Sequence, residues 1–427
     1  MKPTYRITEY GSFVADKNVD GANYIPQKTF DELKRFILLN RDNSDDGLEL
    51  MGISYKKGVG EVITAKNYVG MISMKDGTTV EILPKICSKI DDKDGSEAKK
   101  LIVRMLKTLR KSPFKNVQTS TVNIAKIDIF EIFIRMFIEE IFSIVKHGLK
   151  CIYDTVEENS SRFKGKMLFS KQIKFNFAHK ERSYVEYDEF NTNRPENRLI
   201  KSTLSLLYRL TKSSKNKTDI KTLLNAFSEV PESVNYDTDF SKCISDRNTK
   251  DYSRAMIWCR IFLKGKSFTS FAGSDVAYAL LFPMETLFES YIACLIKKEI
   301  NSDEYNVSAQ DKSYYLFEKP EEIFSLRPDI VITSKSDEDK TVYVMDTKWK
   351  LLNNNPPTYG ISQSDMYQMY AYQKKYKAKN VTLIYPMTDV VPYTSEISFD
   401  SGDGVTVNVK FVDLFDIKNS IKNILHF

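Results

Sequence analysis

The chain has 427 residues, 42% of them apolar and 28% charged, with a formal net charge of +6. That length implies two or three domains, and the balance excludes a disordered or low-complexity chain. Averaged over the chain the charge is too small to imply nucleic acid, but it is unevenly spread: residues 1–98 carry −2, 99–221 carry +13 and 222–427 carry −5.

Residues 1–95 read as a β-rich domain. The opening MKPTYRITEYGSF lacks a basic segment followed by an apolar core, so no signal peptide is expected. TFDELKRFILLNR (29–41) has helical spacing, and YVGMISM and TVEILPKI flank KDGT, where Asp76-Gly77 is a hairpin-turn signal.

Residues 96–270 read as mainly helical and basic, with helical apolar spacing at 96–112, 127–147, 194–213, 217–228 and 249–264. The most apolar run, 127–145, is interrupted by Asp128, Glu131, Arg135, Glu139 and Glu140, which makes it a buried helix rather than a membrane span. RFKGKMLFSKQIKFNFAHKER (162–182) reads as extended, with Phe163, Phe169, Phe175 and Phe177 assigned to the core rather than to base stacking.

Residues 271–427 alternate between the two types. A helix is expected at 282–300, then strands SLRPDIVIT and KTVYVMDTKWK joined by SKSDED, a helix in SQSDMYQMYAYQKKY, and a strand in NVTLIYP. The fold class is therefore a multi-domain α+β or α/β protein whose C-terminal part is a mixed sheet with helices.

Five scattered cysteines without CxxC spacing read as reduced thiols of a cytoplasmic protein. With only His147, His179 and His426, metal chemistry would have to use carboxylates. No Walker-type phosphate loop is present. Gly165-Lys166 is followed by Met167, and Gly265-Lys266-Ser267 has Arg260 where the first glycine should stand, so no nucleotide is expected on this chain.

The informative segment is RPDIVIT…VYVMDTKWK. Asp329 follows Pro328 at the head of a strand, while Asp346 and Lys348 lie two apart on the next and share a face. If the strands pair as a hairpin, the carboxylates converge into a hard oxygen site suited to Mg²⁺, with Mn²⁺ as an alternative. Such an ion polarises a phosphoryl oxygen and acidifies bound water, and the lysine can orient or deprotonate that water. Either half alone has an ordinary structural reading, a turn aspartate or a chance D-x-K. Charge inside so apolar a strand is nevertheless expensive.

These residues, with Glu289 on a preceding helix and Tyr367-Gln368 on a following one, resemble the PD-(D/E)xK nuclease superfamily. Over nearly the whole chain, ITAKNYVGMI, VEILPKI, FKGKMLFSKQIKFN, NRPENRLIK, FPMETLFESYIA, RPDIVI, MDTKWK, DMYQMYAY and LIYP resemble the McrC-type subunits of McrBC-like, modification-dependent restriction systems. The resemblance implies a Mg²⁺-dependent endonuclease cutting double-stranded DNA. Asp329 and Asp346 would bind the metal with Glu289 as an additional carboxylate, Lys348 would act on the attacking water, and Gln368 would place the metal or the DNA backbone. Thr347 and Trp349 occupy positions the motif leaves open. Tyr367 reads as core, and Asp365 as the helix cap.

The resemblance also implies a separate AAA+ NTPase ring, which in the family hydrolyses GTP, and makes the β-rich N-terminal part the segment that stimulates it. Seven basic residues and no acidic one in 99–115, and seven against one in 162–182, then mark a DNA-facing surface that includes Lys107, Arg110, Lys111, Arg162, Lys164 and Lys166. Two other readings stay open: a non-catalytic adaptor that activates an AAA+ ring, and a stand-alone nuclease of the superfamily.

Overall fold

The computed structural model describes residues 3–15, 23–43, 50–74, 78–86, 95–109, 129–243, 250–264, 272–273, 277–335, 341–388 and 397–425. By internal contacts the chain forms two units, one of residues 1–115, 119–126 and 273–427, the other of 116–118 and 127–272. The chain thus leaves the first unit and returns to it, a division that the consecutive regions 1–95, 96–270 and 271–427 do not follow.

Strand pairing explains the return. In the first unit Thr4–Thr8, Thr79–Leu83, Tyr68–Met74 and Ala277–Pro283 lie side by side in that order. Tyr68–Met74 pairs antiparallel with Thr79–Leu83, as the alternating runs predict, and the Asp76-Gly77 turn lies outside the described residues. Its other edge is filled by Ala277–Pro283, from Ala277 opposite Met74 to Pro283 opposite Tyr68. Gly70 makes this close approach feasible: at φ 136° a Cβ there would stand 2.0 Å from the Leu280 carbonyl oxygen. A second sheet orders Asn23–Tyr24, Ser12–Val14, Gly60–Ala65 and Met51–Lys56, and the predicted N-terminal helix spans Gln27–Asn43.

The third sheet of this unit runs Tyr305–Ala309, Ile330–Ser334, Val342–Thr347, Asn380–Pro386, Thr406–Val412, Ile397–Asp400. Val342–Thr347 is antiparallel to Ile330–Ser334 and parallel to Asn380–Pro386. These central strands are buried on both faces, which is why they read as continuous apolar runs. Helices Met284–Glu299 and Gln363–Tyr376 belong to the same unit, the latter contributing Met369, Tyr372 and Tyr376 to a core with Val344, Val381, Leu383 and Tyr385. Strands Ile397–Asp400 and Thr406–Val412 and helix Ile417–Ile424 complete the sheet beyond the last element predicted.

The second unit holds helices Ile129–His147, Pro195–Leu210, Ser214–Ala226, Tyr236–Lys242 and Ser253–Lys264. Its core includes buried Trp258, stacked on Phe262 at 5.4 Å. The apolar 127–145 run is the expected buried helix, and among the described residues no helix is long and apolar enough to cross a membrane. The unit is not only helical. Ile152–Ser160 and Ser183–Asn191 form a nine-residue antiparallel ribbon, with Lys166–Met167 paired to its second strand.

Of the segment 162–182, expected to be extended, Lys166–Met167 is a strand but Phe169–Asn176 is a helix. Hydrogen bonds rather than an apolar stripe hold it: Gln172 Oε1 accepts from the Tyr184 backbone N–H at 2.6 Å, and Asn176 and Asn159 exchange amide bonds at 2.8 and 2.9 Å. The phenylalanines assigned to the core are exposed, from 51% at Phe175 to 83% at Phe177. The described cysteines, Cys151, Cys243, Cys259 and Cys294, are free thiols.

A buried ion pair ties helix Ser96–Leu106 to strand Thr79–Leu83. Lys99 Nζ stands 3.0 Å from Glu81 Oε1, with both side chains withdrawn from water, while Arg6 Nε donates to Glu81 Oε2 at 2.9 Å. Removing Lys99 would leave the buried Glu81 carboxylate without its ammonium, with Arg6 still on Oε2. Lys99→Ala is expected to cost about 3 kcal/mol, read as a lower urea midpoint, whereas an unchanged midpoint would show the pair to be dispensable.

Candidate active site

The antiparallel register sets Ile330 opposite Met345 and Val331 opposite Val344. Carried on by one residue, it brings Asp329 opposite Asp346, so the two aspartates predicted to converge do so at the open end of the strand pair. Both are buried. Asp329 Oδ2 accepts two hydrogen bonds from Thr347, from its backbone N–H and its hydroxyl, each at 2.7 Å. On the other side Gln310 Nε2 lies 3.3 Å from Asp329 Oδ1 and donates to Glu289 Oε1 at 2.5 Å. Gln310 is itself fixed by its backbone N–H, which donates to the Asp329 carbonyl at 2.9 Å, and adopts a left-handed φ of 54°.

Asp346 Oδ2 stands 2.7 Å from the Lys348 ammonium, but it is buried without a well-aligned hydrogen bond. Lys348 Nζ also donates to Gln368 Oε1 at 3.0 Å, and Gln368 Nε2 donates to the Tyr372 hydroxyl at 2.7 Å. Gln368 therefore reaches the site from helix Gln363–Tyr376 as predicted, but its contact is with the lysine. The cap of this helix is Ser362, whose hydroxyl accepts from the Asp365 N–H at 3.3 Å. Asp365, read as the cap, instead takes Lys350 Nζ at 2.7 Å and lies 3.8 Å from Lys348 Nζ. Tyr367, read as core, is 66% exposed: it sits on the solvent side of the helix and bonds to Gln363.

Charge in this pocket is costly. Burial, then repulsion from Asp329, raises Asp346 to about 7, against the pull of Lys348. Burial, then Glu289, raises Asp329 as well. Burial opposes the charge on Lys348, but Asp346, Asp365 and Asp329 outweigh it and hold the ammonium protonated beyond the usual lysine range.

Two crowded carboxylates with an unsatisfied oxygen fit a divalent cation, which would relieve their repulsion. Asp329 and Asp346 would hold it. Glu289 does not join them directly, since the Gln310 amide stands between, and among the described residues no three Asp, Glu, His or Cys side chains form a ready metal cluster. Two carboxylates are sufficient for Mg²⁺, which keeps several waters and draws further ligands from substrate phosphates. Gln310 and Thr347 carry no recognisable signal in the sequence. Only the register, which places Thr347 beside Asp329, reveals them.

A cleft of about 550 Å³ is lined by Glu9, Tyr10, Lys85, Glu285, Trp349 and Lys350, among others, and by none of Asp329, Asp346, Lys348 and Gln368. Burial pushes the Glu9 carboxyl up to about 7, with Lys85 opposing. The described basic residues marked for DNA fall in both units. Lys107 ends helix Ser96–Leu106 in the first unit, Arg162, Lys164 and Lys166 are exposed in the second, and Arg110 and Lys111 lie outside the described residues. Lys164 Nζ sits 3.6 Å over the Tyr187 ring and 3.3 Å from Glu158.

Residues 63–386 match the family described as McrBC 5-methylcytosine restriction system component. Two solved assemblies are similar in fold. One is a refined half-complex from a tetradecameric assembly of Thermococcus gammatolerans McrB AAA+ hexamers with bound McrC, at TM-score 0.70 and 18% identity over 99% of this chain and 100% of that chain. The other is the cryo-EM structure of the Thermococcus gammatolerans McrBC complex, at TM-score 0.50 and 19% identity over 70% of this chain and 89% of that chain. No curated protein matches the sequence. The family match spans Asp329, Asp346 and Lys348 and most of the chain's length, and the chain belongs to the McrBC 5-methylcytosine restriction system component family.

Proposed function

We propose that this McrC-like chain is the nuclease subunit of a motor-coupled restriction complex, hydrolysing phosphodiester bonds in double-stranded DNA with Mg²⁺ and stimulating an AAA+ NTPase ring. The observation that carries the reading is the convergence of Asp329, Asp346 and Lys348 at one end of a buried strand pair. The partner rests on the similar structures, which contain McrB AAA+ hexamers with McrC.

Bound by Asp329 and Asp346, the ion would polarise the scissile phosphoryl group and acidify a water. The chain's own residues do the rest. Asp329 is fixed by Thr347, so one carboxylate is held in a single orientation. Lys348 is kept charged by its acidic neighbours, which suits it to orienting the water and stabilising negative charge on phosphorus rather than to taking a proton. Gln368 and Asp346 hold its ammonium between them. Stimulation of the ring is assigned to residues 1–95. Because three of their strands share a sheet with Ala277–Pro283, point variants rather than deletions suit the experiment.

In the complex reconstituted with the AAA+ partner, Asp346→Asn is expected to abolish cleavage while NTPase stimulation persists. Lys348→Ala is expected to lower the cleavage rate about 10²–10³-fold. Cleavage by Asp346→Asn would leave the adaptor reading in place.

A pH dependence follows from the electrostatics. Asp346 holds its proton more tightly in the folded chain, up to about pH 7, than in the unfolded chain, where its pKa is about 4. Ionisation therefore opposes folding, with no penalty below about pH 4 and the full penalty above about pH 7. In the metal-free protein, thermal melts should show Asp346→Asn gaining on the wild type as pH rises from 5 to 8. Mg²⁺ added at pH 8 should raise the wild-type midpoint but not that of the variant.

A further inference from the structure

Trp349 directly follows the site lysine, and its surroundings come from the far end of the chain. The indole is buried against Phe288, ring centroids 5.2 Å apart, and its N–H points between the two oxygens of Glu9, at 3.1 and 3.0 Å. Lys85 closes the arrangement: its ammonium donates to the Trp349 carbonyl at 3.0 Å and its backbone N–H to Glu9 Oε1 at 3.2 Å. Glu9 sits on a turn tied down by backbone bonds, from Glu9 N–H to the Leu83 carbonyl at 2.9 Å and from Tyr10 N–H to the Ala65 carbonyl at 3.1 Å.

The strand carrying the site ends at Thr347, and the Lys348 N–H makes one more sheet bond, to the Ile384 carbonyl at 2.9 Å. Lys348 thus lies between that bond on one side and the Glu9–Trp349–Lys85 clasp on the other. A buried indole N–H requires an acceptor, but an amide or carbonyl would serve as well. A buried carboxylate is a costly choice, and burial indeed drives Glu9 well above its ordinary range.

We propose that Glu9 is a positioning residue for Lys348, acting through the Trp349 indole and fixing where the lysine's main chain leaves the sheet. The role rests on the nuclease reading and extends it. Residues from the N-terminal strands, through contacts more than three hundred positions apart in sequence, set the aim of the reactive lysine in the C-terminal sheet.

The test is single-turnover DNA cleavage by the reconstituted complex at saturating Mg²⁺, using Trp349→Phe, Glu9→Leu, their combination and Glu9→Gln. Trp349→Phe keeps the ring on Phe288 and removes only the donor. It and Glu9→Leu should each slow cleavage by about 10- to 100-fold, as expected for a catalytic group displaced by a fraction of an ångström to an ångström. The half-saturating Mg²⁺ concentration should not move. The double variant should be no slower than either single one, because both break the same bond. Glu9→Gln retains an oxygen for the indole and should recover most of the rate. Full-rate cleavage by Trp349→Phe, additive losses in the double variant, or losses confined to Mg²⁺ affinity would each overturn the proposal. If Glu9→Leu fails to fold by thermal melt, Trp349→Phe alone decides between full and reduced rate. Absence of cleavage by the wild-type complex refutes the nuclease reading and the positioning role with it, which separates that failure from the others.

Discussion

Two carboxylates held side by side out of water are the constraint around which the C-terminal sheet is arranged. In water Asp329 and Asp346 would ionise independently. At the end of a buried strand pair, burial raises the proton affinity of both, with Glu289 adding to it at Asp329 and Asp329 adding to it at Asp346, and each needs donors or a cation to be tolerated. Thr347 supplies two donors to one and Lys348 a positive charge to the other. The neighbouring helix supplies Gln368, which holds that lysine from the far side. A site built only for stability would gain by replacing such a set with apolar residues. Its presence inside an otherwise apolar core is what motivates the catalytic reading proposed for it.

The second theme is long-range closure. The chain begins in the first unit, passes through the second, and returns to place Ala277–Pro283 against Tyr68–Met74. Gly70 permits the approach, and Glu81 with Lys99 and Arg6 secures the strands behind it. Glu9 then reaches Trp349. The N-terminal strands are thereby part of the body that holds the site, so the segment proposed to engage a partner motor and the turn proposed to position Lys348 share one sheet and its edges.

Much of the site was legible because it depends on local patterning. Two continuous apolar runs, a proline before the first and a D-x-K in the second, point to the pairing that brings Asp329 to Asp346. What escaped depends on residues brought together only by folding. Gln310 and Glu9 have no motif, and their roles arise from a left-handed turn and a contact across the chain. Tyr367 reads as core because it is an aromatic on a helix expected to face a sheet, yet it lies on the side of the helix away from buried Met369 and Tyr372. Helix Phe169–Asn176 escaped for a different reason: side-chain amides hold it, while its aromatics face solvent. The alternation in Thr406–Val412 is a readable strand signal that the chain-order reading passes over.

The feature on which the rest turns is whether Asp329 and Asp346 bind a divalent ion together. Crystals of the chain soaked in Mn²⁺ and measured at the manganese edge address it directly. The expected result is one anomalous peak ligated by an oxygen from each aspartate and lost in Asp346→Asn. A peak that survives in the variant, or manganese bound elsewhere with this pair left empty, would contradict a metal-dependent centre at this position.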